Sequence, residues 1–265
     1  MSLISISGLE KTFRSRQGAD YTALRDFDLE IHEGEFFCLL GPSGCGKTTV
    51  LNIIAGFDEP TRGEVMLDGR PITGPGEDRG VVFQGDDSLF TWCSALENVE
   101  FGPRLRGLSK GERESHARKY IELVGLGGQE EKFPGELSGG MKQRIQIARC
   151  LANESKMLLM DEPFGALDAQ TRSIMQEQLA RIWHQNETPV LFITHDIDEA
   201  VTLGSRIGVM TAGPESTLKG IVDVNLGAER RRTDDDFMQV YRVVYDMIRE
   251  EVLQSLSRED QEAAA

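Results

Sequence analysis

Unbroken runs of apolar residues alternate with stretches in which apolar residues are spaced as on one face of a helix. Such runs occupy Phe36–Leu40, Met157–Met160 and Pro189–Ile193. A strand that is covered on both faces shows this pattern, because neither face meets water. Helical spacing follows the first two runs, at Thr48–Ala55 and Gln170–Gln185. The alternation of strand and helix predicts a parallel sheet wound with helices.

Other parts of the chain depart from this alternation. The first forty residues contain short strand patterns, such as Leu3–Ile6. The pattern from about Ser94 to Gly127 is helical and rich in charge, and we interpret it as an inserted helical subdomain. Arg206–Met210 predicts a further strand, and the last part of the chain predicts one more strand and a helix over Phe237–Leu253.

The charge balance limits the possible partners. The 265 residues include 29 Lys and Arg against 44 Asp and Glu, which gives a net charge of −15. A nucleic-acid-binding protein needs a basic face to neutralise phosphates, so nucleic acid is not an expected partner. Direct electrostatic binding to an anionic membrane is also disfavoured. An anion bound by this chain must therefore be held by local geometry.

Cysteine usage and hydropathy bear on the compartment. None of the four cysteines forms a CxxC pair, so we expect free thiols in a reducing compartment, without a zinc site or a disulfide framework. The first residues lack the pattern of a signal peptide, and no window has the length and hydropathy of a membrane-spanning helix. We expect a cytosolic protein unless a partner holds it at a membrane.

A glycine-rich loop joins the apolar run Phe36–Leu40 to the helical pattern that follows it. It fits GxxxxGK[ST], the phosphate-binding loop, in the strand–loop–helix context that this motif requires. Glycines allow consecutive backbone N–H groups to surround a phosphate, and the helix N-terminus adds the positive end of a dipole. We expect Lys47 to contact the β- and γ-phosphates and Thr48 to bind Mg²⁺. The predicted nucleotide-binding residues of the loop are Gly41, Pro42, Ser43, Gly44, Cys45, Gly46, Lys47, Thr48 and Thr49.

One loop residue carries a separate expectation. Cys45 lies near a helix N-terminus and beside Lys47, and both features lower the pKa of a thiol. We therefore expect a reactive cysteine that ATP protects. The alternative is a buried and inert thiol.

Two carboxylates follow the apolar run Met157–Met160. Ligands bind at the carboxyl ends of strands in open α/β sheets. We expect Asp161 to hold Mg²⁺ and Glu162 to polarise a water molecule against the γ-phosphate. A solvated strand end with two acids is the alternative, but the phosphate-binding loop in the same chain favours the catalytic interpretation.

The segment Leu137–Arg144, LSGGMKQR, resembles the signature sequence of ABC transporter ATPases. Ser138, Gly139 and Gly140 at a helix start offer a second place for an anion. This second place is redundant unless it serves the nucleotide of another subunit. In the family two ATP molecules lie between the phosphate loop of one copy and the signature of the other, so the resemblance implies a dimer.

The resemblance implies roles for further residues in the order of the family. Gln84 matches the glutamine that touches Mg²⁺ and senses the permease, Asp168 matches the D-loop aspartate at the dimer seam, and His195 matches the switch histidine that contacts the γ-phosphate. An aromatic residue near the N-terminus should stack on adenine. Phe13 matches that place best, and Tyr21 is a rival because the loop between them is longer than usual.

The fold implied by the resemblance is α/β, with a P-loop NTPase (RecA-like) parallel-sheet core, an N-terminal antiparallel β subdomain and an inserted helical subdomain. The ABC ATPase domain would span residues 1–212, with the helical insertion at about 87–150. Residues 213–265 would form a short tail with a strand and a helix.

Several segments are similar to the nitrate, sulfonate and taurine importer subfamily. They are Gly74–Gln84, Asp161–Arg172 and Phe192–Ala200, together with the short C-terminal tail. One departure is Leu89–Trp92, which reads LFTW where the subfamily usually has LLPW. This stretch faces the permease in relatives, so the transported solute stays open.

The resemblance implies ATP and Mg²⁺ as cofactors and hydrolysis of ATP to ADP and phosphate. The implied partners are a second ATPase subunit, for which we expect a homodimer although the identity of the two subunits stays open, transmembrane permease subunits and, indirectly, a periplasmic or surface solute-binding protein. The subunit would be held by the permease at the cytoplasmic face of the inner membrane. The alternative is a soluble non-transport ABC ATPase, which usually has two cassettes, a long coiled-coil insertion or a basic surface. This chain has one cassette and a charge of −15.

Overall fold

The computed structural model describes residues 2–14, 18, 20–85, 88–165, 167–227 and 230–263. The chain forms two compact units. The first unit combines Met1–Gly76 with Pro189–Ala265, and the second unit is Glu77–Thr188.

The regular elements are numbered in chain order. The strands are β1 (Ser2–Arg14), β2 (Asp20–His32), β3 (Phe36–Leu40), β4 (Arg62–Leu67), β5 (Arg70–Pro71), β6 (Arg79–Val82), β7 (Met157–Asp161), β8 (Val190–Ile193), β9 (Arg206–Met210) and β10 (Leu218–Asp223). The helices are α1 (Lys47–Ala55), α2 (Ala95–Val99), α3 (Phe101–Leu105), α4 (Lys110–Leu123), α5 (Gly139–Ala152), α6 (Ala169–Asn186), α7 (Ile197–Leu203) and α8 (Asp235–Ala263), with a 3₁₀ turn at Pro134–Glu136.

The first unit contains an antiparallel sheet in the order β2-β1-β4-β5. Buried residues such as Ile4, Ile6 and Leu9 in β1 face a common core with Phe27 and Ile31 of β2. This one-sided burial is typical of an antiparallel sheet.

The same unit contains a second sheet, in which β3 lies between β8 and β9 and is parallel to both, and β10 is antiparallel to β9. All five residues of β3 are buried, as its unbroken apolar run predicts. Because β3 and β8 run in the same direction, with Leu39 opposite Ile193, the segments that leave their carboxyl ends start at the same edge.

In the second unit β6 and β7 form a parallel pair, with Gly80 opposite Leu158. Most of the rest of the unit is helical. Serine capping boxes begin two of its helices, with Ser94 and Glu97 at α2 and Ser109 and Glu112 at α4. Each box pairs two backbone N–H groups that a helix start otherwise leaves unbonded.

The predicted α/β class, with parallel strands and an antiparallel β subdomain, is present in these elements. The helix predicted over Phe237–Leu253 is longer, because the apolar spacing continues at Leu256 and no breaker intervenes. The two-residue strand β5 pairs antiparallel with β4, with Leu67 opposite Arg70. Within the described ranges, no helix has a stretch long and apolar enough to cross a bilayer.

Candidate nucleotide-binding site

The loop between β3 and α1 has the backbone of a phosphate-binding loop. Gly44 and Gly46 adopt positive φ angles of 75° and 91°, which a side chain would strain. A Cβ at Gly46 would also lie 2.9 Å from Cδ2 of Leu24. Gly44 and Gly46 are therefore required by conformation, and Gly46 by space as well.

Lys47 is the first residue of α1 and is only 8% exposed. Its Nζ donates hydrogen bonds to the carbonyl oxygens of Gly41 at 2.8 Å and Pro42 at 2.9 Å. The ammonium thus lies over its own loop. Since none of the residues Lys47–Val50 is acidic, the positive end of the helix dipole is not neutralised locally, and the loop suits an anion.

His195 lies at the same edge of the sheet as this loop. It follows β8 by two residues and is exposed. The turn before it is fixed, because the N–H of Thr194 donates to the carbonyl of Leu39 at 3.4 Å and Oγ1 of Thr194 donates to Oε2 of Glu199 at 2.6 Å. The first unit therefore places an exposed imidazole and the phosphate loop on adjacent strand ends.

The two aromatic residues considered for adenine stacking lie side by side. Phe13 of β1 is directly opposite Tyr21 of β2, and they are 40% and 46% exposed. Nζ of Lys11 lies 4.9 Å from the centroid of the Phe13 ring. Both rings belong to one exposed edge, so each is accessible to a base.

In the second unit Gln84 follows β6 and Glu162 follows β7, and their side chains are in contact at the carboxyl ends of these strands. Nε2 of Gln84 donates to Oε2 of Glu162 at 3.1 Å. Asp161, the last residue of β7, is 6% exposed. Glu162 has a φ of 44°, a left-handed conformation that is costly for a residue with a Cβ. The strand end therefore holds two carboxylates, one buried and one on strained backbone that contacts an amide.

Two further residues predicted to belong to the site are the N-cap residues of helices in the second unit. Ser138 is exposed, and its Oγ accepts a hydrogen bond from the N–H of Met141 at 3.3 Å at the start of α5. Asp168 accepts from the N–H of Thr171 at 3.0 Å and that of Gln170 at 3.1 Å at the start of α6. The hydrogen bonds from Thr171 hold the pKa of the Asp168 carboxyl below its usual value.

Sequence reasoning missed two residues that hold Gly85 and Ser88, which follow Gln84 in the chain. Nε2 of Gln146 donates to the carbonyl of Gly85 at 3.0 Å. The guanidinium of Arg149 donates to the carbonyl of Ser88 at 3.0 Å and to its Oγ at 3.1 Å. Gln146 and Arg149 are three residues apart on α5, so they lie on one face. The three-residue spacing could have predicted that Gln146 and Arg149 share a face of α5. It does not indicate which residues they bind.

The prediction that Cys45 is a reactive thiol is wrong. Cys45 is fully buried, with Sγ 4.0 Å from Sδ of Met210. Burial raises the pKa of this thiol, and the nearby Lys47 ammonium, which lowers it, offsets only part of the effect. Cys45 therefore packs the base of the loop as a neutral side chain.

Comparison with known proteins agrees with this geometry. The family model described as ABC transporter matches residues 24–165. The chain is 43% identical to a nitrate transport protein of Klebsiella oxytoca, with 99% of each chain covered. It is 47% identical to a taurine import ATP-binding protein of Roseobacter denitrificans, covering 81% of this chain and 80% of that one. It is 47% identical to a bicarbonate transport ATP-binding protein of Synechococcus elongatus over 98% of its own length, but spans only 39% of that protein.

A solved structure has the same fold. It is a dimeric ATP-binding cassette in a post-hydrolysis state, bound to ADP and Pi. The TM-score is 0.76 and the identity is 32%, covering 84% of this chain and all of the other. This match confirms the predicted P-loop ATPase fold and supports ATP hydrolysis. The chain belongs to the ABC transporter family, as an ATP-binding and ATP-hydrolysing subunit.

Proposed function

We propose that this subunit powers uptake of a small anion or zwitterion of the nitrate, sulfonate and taurine type. The observation that carries the proposal is the full-length similarity to a nitrate transport protein, supported by the taurine relative. The test is uptake of labelled nitrate, taurine and bicarbonate by cells with and without the gene. We expect cells without the gene to lose uptake of nitrate or taurine. Unchanged uptake of both would contradict this solute class.

The roles proposed for the site follow from side-chain chemistry. The buried Lys47 ammonium binds the β- and γ-phosphates in place of the carbonyls of its own loop. The hydroxyl of Thr48 and the carboxylate of Asp161 are hard oxygen ligands of the kind that Mg²⁺ prefers. Magnesium held by ligands of this kind would neutralise phosphate charge. Glu162, oriented by Gln84, accepts a proton from the attacking water.

His195 and one aromatic residue complete the set of proposed contacts. The exposed imidazole of His195 donates a hydrogen bond to the γ-phosphate. The aromatic edge formed by Phe13 and Tyr21 stacks on the adenine. A nucleotide held by base stacking and by phosphate contacts is positioned for attack by water.

We also propose that the active form is a homodimer with composite sites. The helix start at Ser138, Gly139 and Gly140, where Ser138 is exposed, acts on the ATP held by the other copy, and Asp168 lies at the seam. The dimeric state of the similar solved cassette supports this arrangement. A two-fold dimer of this kind has two equivalent sites.

Mixing two inactive variants tests this arrangement. In a heterodimer of Ser138→Arg with Lys47→Ala, both lesions fall on the same composite site and the other site is wild type. We expect ATPase activity to reappear on mixing, at up to about half of the wild-type rate for each heterodimer. The measurement is phosphate release as the ratio of the two variants is varied. If mixing restores nothing and cysteines at position 138 and in the loop crosslink only within one chain, the composite site is refuted.

The proposed permease contact lies in the second unit. A groove of about 450 Å³ is lined mainly by apolar side chains, among them Phe83, Phe90, Phe101 and Leu105, with Arg106 and Arg149 at its polar parts. Leu105 is 72% exposed. An amphipathic helix of a permease fits such a groove, because its apolar face would cover these residues. This contact would hold the subunit at the cytoplasmic face of the membrane.

Leu105→Asp tests the groove. A carboxylate in an apolar contact must be desolvated, so we expect affinity for the permease to fall by at least about tenfold. Basal ATPase activity of the isolated subunit should not change. Co-purification with the permease measures the first effect, and Ile174→Asp, an exposed apolar residue outside this groove, is the matched control. Equal loss of the complex in both variants would argue against the groove as the site that contacts the permease.

A further inference from the structure

The helix that follows His195 is fixed at its N-terminal end. Oδ1 of Asp196 accepts hydrogen bonds from the N–H groups of Asp198 at 2.9 Å and Glu199 at 3.4 Å. The buried bond between Oγ1 of Thr194 and Oε2 of Glu199 joins the residue before His195 to the first turn of α7. A shift of α7 must therefore move the backbone of His195 with it.

The other end of α7 is held by an arginine from the C-terminal tail. Nη1 of Arg230 donates to the carbonyl oxygens of Val201 at 2.9 Å, Thr202 at 3.2 Å and Gly204 at 2.7 Å. A helix C-terminus leaves such carbonyls without partners in the helix, and a cation there also opposes the negative end of the dipole. Burial lowers the pKa of this guanidinium, but an arginine stays charged.

Arg230 is anchored to the tail itself. Its Nε donates to the carbonyl of Gly227 at 3.3 Å. The guanidinium therefore bridges the tail segment before α8 and the end of α7, which are separated by more than twenty residues in the chain.

The tail reaches the first turn of α7 as well. Nε of Arg232 lies 3.6 Å from Oδ1 of Asp198. Phe237 and Val244 of α8 are 1% and 0% exposed, so α8 is packed onto its own unit along this part of its length. Burial raises the pKa of Tyr241, and the carboxylates of Asp198 and Asp196 raise it further. The tail thus meets α7 at both ends.

We propose that Arg230 is a positioning residue for hydrolysis: the C-terminal tail, through the three carbonyls at the end of α7, sets where His195 meets the γ-phosphate. This inference rests on the role proposed for His195. A group that must meet a phosphate oxygen is sensitive to small displacements, and a misplacement of about 1 Å can cost up to about 10²-fold in rate. The tail is then part of the catalytic apparatus and is more than an appendage of the fold.

The first test compares Arg230→Ala and Arg230→Lys with wild type. We expect Arg230→Ala to lower kcat for ATP hydrolysis by about 10-fold or more, with KM for ATP within about 2-fold, because the phosphate loop is untouched. Arg230→Lys should fall between the two, since an ammonium keeps the charge but has no second nitrogen to replace the Nε–H that bonds the carbonyl of Gly227. Arg249→Ala, on the exposed side of α8, is the control and should hydrolyse ATP as wild type does.

The second test separates positioning from simple loss of structure. In a His195→Ala background, measured by single turnover, Arg230→Ala should lower the rate by less than about 2-fold, since the group it positions is gone. An equal loss in both backgrounds, or wild-type kcat in Arg230→Ala, overturns the inference. If His195→Ala itself hydrolyses ATP as wild type does, the role of His195 fails and the inference with it. If His195→Ala is impaired but Arg230→Ala is not, the inference alone fails.

Discussion

Glu162→Gln is expected to bind ATP normally and to lose most of its turnover, by about 10²–10⁴-fold. Glutamine has the shape of glutamate, so the backbone at the end of β7 and the contact with Gln84 can persist. What is lost is the carboxylate that accepts a proton from water. Because hydrolysis is the step expected to open the nucleotide-bound dimer, the variant should also accumulate as an ATP-bound dimer.

Steady-state phosphate release and size-exclusion chromatography with ATP measure these two effects. Glu187→Gln is a matched control, because Glu187 is exposed and has a left-handed φ of 49°, close to that of Glu162. Any effect of placing glutamine on such a backbone appears in both variants. A wild-type ATPase rate in Glu162→Gln would show that this carboxylate is not the general base.

Lys47→Ala is expected to weaken ATP binding by about 10–10²-fold and to abolish measurable hydrolysis at ordinary ATP concentrations. A hydrogen bond to a charged group contributes about 1.5–3 kcal/mol, so loss of one such bond to the phosphates has this effect. The carbonyls of Gly41 and Pro42 also lose their donor, so the empty loop should become less ordered.

Titration with a fluorescent ATP analogue measures this affinity. Lys110→Ala is the control, since Lys110 is likewise the first residue of a helix but is exposed on α4. It removes the same charge from the same helical position. Equal affinity of Lys47→Ala and wild type for the analogue would exclude Lys47 from the phosphate site.

The phosphate loop could be predicted from sequence because its chemistry is local. The glycines, Lys47 and the flanking strand and helix are contiguous, and the motif demands each of them. The carboxylates after β7 were predictable for the same reason. The contact between Gln84 and Glu162 was not, because it depends on β6 and β7 being paired in parallel, which no local pattern specifies.

Cys45 shows where local reasoning fails. The sequence places it beside a lysine and a helix start, and both lower a thiol's pKa. Burial acts in the opposite direction and dominates, and it depends on Met210, which is 165 residues away. The contacts of Arg230 with α7 could not be predicted either, because they too depend on residues that are distant in the chain. An arginine in a polar tail has no distinctive pattern until the fold shows which carbonyls it meets.

The backbone at Glu162 has a consequence for how this protein can change over generations. A non-glycine residue in the left-handed region costs on the order of 1–3 kcal/mol, which glycine would recover. A population selected only for a higher melting temperature would therefore be drawn toward glycine at this position, and each such variant would lack the carboxylate. On the role proposed for Glu162, thermal robustness and turnover are thus opposed at one residue.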